Sequence, residues 1–143
     1  MFIGTHYHSL DDKKRVAVPK SFRSQLESGA VTTYGLDGCL FIFTADSWAK
    51  LADKLQALPL TNKAARDFLR LLTFNASPLE LDAHGRMLLP DNLKTLAGLK
   101  KDVVFAGALT RVEIWDKDRY HTYVDGLTSQ TGELENTLSE LGI

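Results

Sequence analysis

Asp11 and Arg15 stand four residues apart, and so do Asp82 and Arg86, each pair spanning a polar stretch that joins two extended runs. Where the chain reverses over such a stretch, the carboxylate can hold the guanidinium and aim its planar fork outward. An arginine so restrained is suited to bidentate contact with a phosphate or with the edge of a guanine, which an unrestrained lysine is not. Taken singly, either pair reads more simply as an intra-turn ion pair worth about 0 to 1 kcal/mol when exposed. Two copies at matched positions, each leading through an apolar run into a proline, favour a binding role.

The two pairs belong to a longer self-similarity. The stretch Leu10 to Pro19 matches Leu81 to Pro90 at an offset of 71 residues. Beyond the prolines, Phe22-Arg23 answers Leu93-Lys94; after a one-residue insertion, Gly35-Leu36 answers Gly107-Ala108 and Trp48 answers Tyr120. Two copies of a unit of about sixty residues are too few for a solenoid, which needs roughly three. The halves are therefore expected to pair into one domain, and 143 residues with 44% hydrophobic side chains suffice for its core.

The longest apolar runs, Cys39 to Phe43 and Val103 to Leu109, fall far short of the roughly 18 residues that cross a bilayer. With no basic-then-apolar leader at Met1, the expectation is a cytoplasmic protein without a membrane partner. The lone Cys39, set in an apolar run, is expected to pack as a small hydrophobe. The net charge of −1 is unevenly spread. Residues 125 to 143 hold four acids and no Lys or Arg, which leaves 17 basic against 14 acidic groups before them. Ser9 to Arg23 alone carries five basic residues (Lys13, Lys14, Arg15, Lys20 and Arg23) against two acids, the electrostatic signature of a phosphate-contacting patch or of a solvated turn.

Other constellations carry less. His6 and His8 alternate on one strand face, but no cysteine or third histidine nearby completes a four-ligand metal set. His8, Ser9 and Asp11 are crowded too closely along the chain to adopt triad geometry. Gly-rich phosphate loops are absent, so neither cofactor, metal nor catalysis is expected.

The elements follow from periodicity and punctuation. An opening strand over Phe2 to Leu10 leads into a turn at Asp11 to Lys14 and a strand over Arg15 to Val18. Pro19 then starts a short helix carrying Phe22 and Leu26. Val31 to Leu36 and Cys39 to Phe43 form a hairpin about Asp37-Gly38. Asp46 or Thr44 caps a helix bearing Trp48, Leu51 and Leu55; Thr61 caps a connecting helix without a twin. The second half repeats the order: a strand near Leu79 to Leu81, a turn at Asp82 to Gly85, a strand over Arg86 to Leu89 and a Pro90 helix. A hairpin of Val103 to Ala106 with Val112 to Trp115 follows, then a helix capped by Asp116. Past Gly126 the acidic tail is expected to be disordered, or an amphipathic helix on Leu127, Leu134, Leu138 and Leu141, in either case remote from the turns.

The motifs His8-Ser9-Leu10-Asp11 with Arg15 and Pro19, Gly35 to Leu40, Leu58 to Asn62, Leu81-Asp82 with Gly85-Arg86 and Pro90, and Glu113 to Asp116 together resemble the MraZ family over residues 1 to about 125. The resemblance implies a bacterial transcriptional regulator of the division and cell wall gene cluster, built from AbrB-like swapped-hairpin units and assembled into rings. The family's Asp-x-x-x-Arg motif carries over to Asp11 with Arg15 and to Asp82 with Arg86. A glycine usually precedes each arginine in that family; here Gly85 keeps it and Lys14 replaces it, at a cost of about 1 kcal/mol if the turn needs positive φ.

The expected fold is thus α+β: two swapped-hairpin units forming one pseudo-symmetric small barrel with peripheral helices. Residues 1–60 are the first repeat, 61–76 the connecting helix, 77–125 the second repeat and 126–143 the tail. The expected function is non-enzymatic. A nucleoid-associated ring would bind double-stranded promoter DNA at guanine-rich direct repeats, through Asp11, Arg15, Asp82 and Arg86 with Lys13, Lys14, Lys20 and Arg23 on phosphates. The alternative is a ring-forming structural or protein-interaction adaptor in which the Asp–Arg pairs join subunits.

Overall fold

A computed structural model describes residues 1–143. The first half contains β1 (Thr5–Ser9), β2 (Arg15–Ala17), α1 (Lys20–Leu26), β3 (Ala30–Tyr34), β4 (Leu40–Thr44) and α2 (Ala45–Gln56). After α3 (Lys63–Phe74), the second half has β5 (Ser77–Pro78), β6 (Arg86–Leu88), α4 (Asp91–Leu96), β7 (Asp102–Gly107), β8 (Arg111–Asp116), α5 (Lys117–Ser129) and α6 (Thr131–Glu140).

The strands of the halves pair with one another. One antiparallel sheet runs β1-β7-β8-β4-β3-β5, and β2 pairs with β6 in a separate two-stranded ribbon. The first half's β1 lies on the second half's β7, and β5 of the second lies on β3 of the first. A pseudo-twofold axis passes through two register pairs, Phe41 with Glu113 and Val16 with Met87, whose members are each other's counterparts in the repeat. Neither half can fill its sheet alone.

The expected closed barrel is not formed. The six-stranded sheet ends openly at β1 and β5, because each edge strand leaves at an Asp-x-x-x-Arg turn and continues into the ribbon. Closure is further discouraged at β5, where Pro78 has no N–H for a ladder. The ribbon and the short helices seal the core instead, so Phe22, Leu26 and Leu93 of α1 and α4 are buried with Val16, Met87, Leu40 and Phe105.

The other sheet face buries a smaller cluster of Cys39, Phe41, Phe43, Val104 and Trp115 beneath α2 and α5, with Trp48 and Tyr120 packed against it at matched positions. Burial on both faces is why β4 reads as a continuous apolar run. It also pushes the Cys39 thiol far above its ordinary pKa, and the Sγ–H donates to the Leu36 carbonyl at 3.3 Å. The Asp37-Gly38 turn has positive φ at both residues, 65° and 82°, as a tight hairpin demands.

Two boundaries differ from expectation, and the tail takes the helical one of its two expected forms. Asn62, not Thr61, caps α3, its Oδ1 accepting from the Ala65 N–H at 3.0 Å, while Thr44 caps α2 through Ser47. β5 lies at Ser77–Pro78, leaving only an isolated bridge between Leu81 and Met87 near the expected strand. The tail is helical: α5 runs through Gly126 to Ser129 and α6 follows at once.

Candidate nucleic-acid interface

Both Asp-x-x-x-Arg turns fold the same way, atom for atom. Asp11 Oδ1 accepts from the backbone N–H groups of Lys13 and Arg15, each at 2.9 Å, and Oδ2 accepts from Arg15 Nε at 2.8 Å. Asp82 Oδ1 accepts from His84 N–H at 2.8 Å and Arg86 N–H at 3.0 Å, and Oδ2 from Arg86 Nε at 2.9 Å. An aspartate is needed because only its short side chain can bond the backbone two and four residues on and still reach the guanidinium. The turns are also stitched across the pseudo-axis: Val18 N–H donates to the Gly85 carbonyl and Leu89 N–H to that of Lys14.

These contacts hold both carboxyls below the usual range. For Asp82, lowered to about 2, the largest cause is the backbone N–H of Arg86, with desolvation opposing and the His84 N–H and Arg86 side chain adding. Asp11 is lowered too, first by the backbone N–H of Arg15. A pKa depressed on folding means that the carboxylate's contribution is complete above the ordinary value and lost as pH falls through the folded one. The turns should therefore keep their form across pH 5 to 8. In Arg86→Ala the Asp82 carboxyl should still titrate below about 3.9, because the backbone donor remains; an NMR titration returning it fully to that value would make the side chain the main cause.

In the β2–β6 ribbon, Arg15 lies opposite Leu88 and Ala17 opposite Arg86, with buried Val16 and Met87 between them. Alternation puts Arg15, Ala17, Arg86 and Leu88 on the outer face, with the arginines diagonal neighbours. Each arginine side chain is 31% exposed. Each gives its Nε to its own aspartate, and Arg86 Nη1 lies 3.9 Å from Asp11 Oδ2. Leu88, 62% exposed between them, is a member of this face that motif reading missed; its place in the alternation after Arg86 was the available signal.

The basic residues divide. Lys13 and Lys20 are exposed. Lys14 is tied to Asp91 at the start of α4 and carries the positive φ anticipated for it, 61°. Arg23 turns inward, Nη2 donating to the Val18 carbonyl at 2.9 Å, so packing occupies the side chain expected to meet phosphate. Its guanidinium lies over Gly85, where a Cβ would stand 2.2 Å from Cζ and where φ is 74°. Hence the two turns are not interchangeable. Gly85→Ala should destabilise by about 1–3 kcal/mol from overpacking and strain, whereas Lys14→Gly should change stability by less than about 1 kcal/mol, relief of strain offsetting loss of an exposed pair. Thermal unfolding of both variants checks this.

Of the remaining sequence candidates, His6 Nε2 meets Ser21 Oγ at 3.2 Å and Ser9 Oγ donates to Asp102 at 3.0 Å, so Ser9 is turned away from Asp11.

Fold and site together define an internally duplicated α+β protein whose halves exchange strands and present two aspartate-held arginines on a shared β-ribbon. The chain belongs to the MraZ family: the family model described as "MraZ protein, putative antitoxin-like" matches it twice, at residues 1–71 and 72–139. It is 45% identical over 143 residues, the whole of both chains, to a protein of Alkaliphilus metalliredigens (strain QYMF) named transcriptional regulator MraZ. A protein of that name from Clostridium beijerinckii is 46% identical over the same full length. One from Clostridium botulinum (strain Alaska E43 / Type E3) is 48% identical over 123 residues, 86% of this chain and 87% of that protein.

Proposed function

We propose that this protein is a transcriptional regulator that reads double-stranded DNA with the β2–β6 ribbon. The single observation that carries this reading is the matched pair of aspartate-held arginines on the ribbon's outer face. A two-stranded ribbon fits the major groove, and a guanidinium with a free edge suits the O6 and N7 acceptors of guanine. Leu88 beside them suits a thymine methyl. Lys13 and Lys20 supply attraction to phosphate independent of sequence. In this reading the target is guanine-rich direct repeats in a promoter of the division and cell wall gene cluster. A ring of copies multiplies a weak single-subunit affinity by presenting several ribbons to the repeats at once, and the protein acts in the cytoplasm at the nucleoid without catalysis. The adaptor alternative finds less support, because each aspartate already holds the arginine of its own turn, so neither pair needs a second subunit to complete it.

A gel shift of the protein against its own upstream promoter region tests the proposal. Lys13→Ala should weaken binding to promoter and random duplexes about equally, since a lysine on phosphate carries no sequence information; a loss confined to the promoter would contradict that role.

A further inference from the structure

We propose that the gap between α2 and α3 is the seat of helix α6 from a second copy of this chain. The inference rests on the self-assembly proposed above and deepens it, and is independent of DNA readout. Two clefts adjoin along the gap. One, of about 310 Å³, is floored by Phe41, Phe43, Leu51 and Phe68 with Lys50 and Lys54 at its rim. The other, of about 150 Å³, is lined by Leu55, Leu58, Leu60 and Leu69 beside Arg66 and Arg70. Leu60 is 80% exposed.

The candidate occupant has the complementary character. On α6 and its end, Leu134, Leu138 and Leu141 recur at helical spacing, one apolar stripe over two turns, and are 42%, 39% and 69% exposed. The helix carries Glu133, Glu135 and Glu140 and no basic residue, whereas α2 through α3 carries five basic residues against three acids. An acidic amphipathic helix laid into a basic-rimmed apolar groove satisfies both surfaces at once.

The occupant comes from another copy because the chain's own α6 is tethered away from the gap. Only Gln130 separates α6 from α5, and α5 is seated over β7 and β8, while α2 and α3 lie against β3 and β4 at the other end of the sheet. A groove on one copy filled by a helix of the next is a head-to-tail contact, and such contacts repeat until they close into a ring.

The test uses the full-length chain. By light scattering, wild type should form a multi-subunit species, and Leu134→Glu with Leu138→Glu should fall to the single-chain mass of 15.9 kDa while still unfolding in one cooperative thermal transition. A double variant that keeps the wild-type mass overturns the inference alone, while a single-chain wild type overturns the assembly reading itself. Independently, a chain carrying both Leu60→Cys and Leu138→Cys should give a ladder of disulfide-linked multimers on a non-reducing gel, Cys39 being buried. Cross-linking only within single chains, or none, overturns the proposal.

Discussion

Arg15→Ala is expected to abolish promoter-specific DNA binding while leaving the fold and the assembled mass intact. Each lost bidentate base contact costs about 1–3 kcal/mol, and in a multivalent assembly the loss recurs at every subunit, so apparent affinity should drop at least about a hundredfold. The fold should survive because the Arg15 side chain makes its hydrogen bond and ion pair within its own turn, and Asp11 keeps its two backbone donors. Arg86→Ala should cost less. Arg86 Nη1 faces Asp11, and Glu80 to Lys94 holds three acids against Arg86 and Lys94 where the matching first stretch holds five bases against two acids. Binding titrations in one buffer decide; equal losses would mean that both turns contribute alike, and loss of assembled mass would make Arg15 an interface residue.

The largest effect on stability is expected at Gly107→Ala. A Cβ there would lie 2.4 Å from Ile3 N and 2.5 Å from the Phe2 carbonyl carbon. Unlike the guanidinium over Gly85, these are backbone atoms pinned by paired hydrogen bonds between Phe2 and Leu109, at 2.9 Å each way. Relief requires lifting the first half's N-terminal segment off the second, which withdraws Phe2, 2% exposed and edge-on to Phe22. Releasing a buried phenylalanine costs about 3 kcal/mol or more, lowering the melting temperature by about 10 °C. A shift under about 2 °C would show that the segment contributes little to joining the halves.

Local chemistry was legible in the residues and long-range pairing was not. Asp37-Gly38 announced its turn because both positions need positive φ, and the matched Asp11–Arg15 and Asp82–Arg86 spacings announced theirs because a short carboxylate bonds the backbone just ahead of it. The repeat showed that two equivalent units exist, and the family resemblance, with its usual glycine before each arginine, pointed to positive φ at Lys14. It could not show that β2 pairs with β6, since the partner of a three-residue strand lies 71 positions away and any extended run would have served. Arg23 misled for the same reason: its charge suggested phosphate, whereas the space above Gly85, visible only after folding, draws it inward. The barrel expectation failed where edge strands turn into the ribbon, a choice made by packing over Val16 and Met87 and not by strand propensity.

The most direct test of the central claim is the salt dependence of binding to the protein's own promoter duplex, measured beside a scrambled duplex of equal length. The account predicts that affinity for both falls steeply between about 50 and 200 mM salt, that the promoter stays favoured at every concentration, and that Arg15→Ala removes that preference while leaving the scrambled duplex bound nearly as before. Equal affinity of wild type for the two duplexes throughout the series would contradict it.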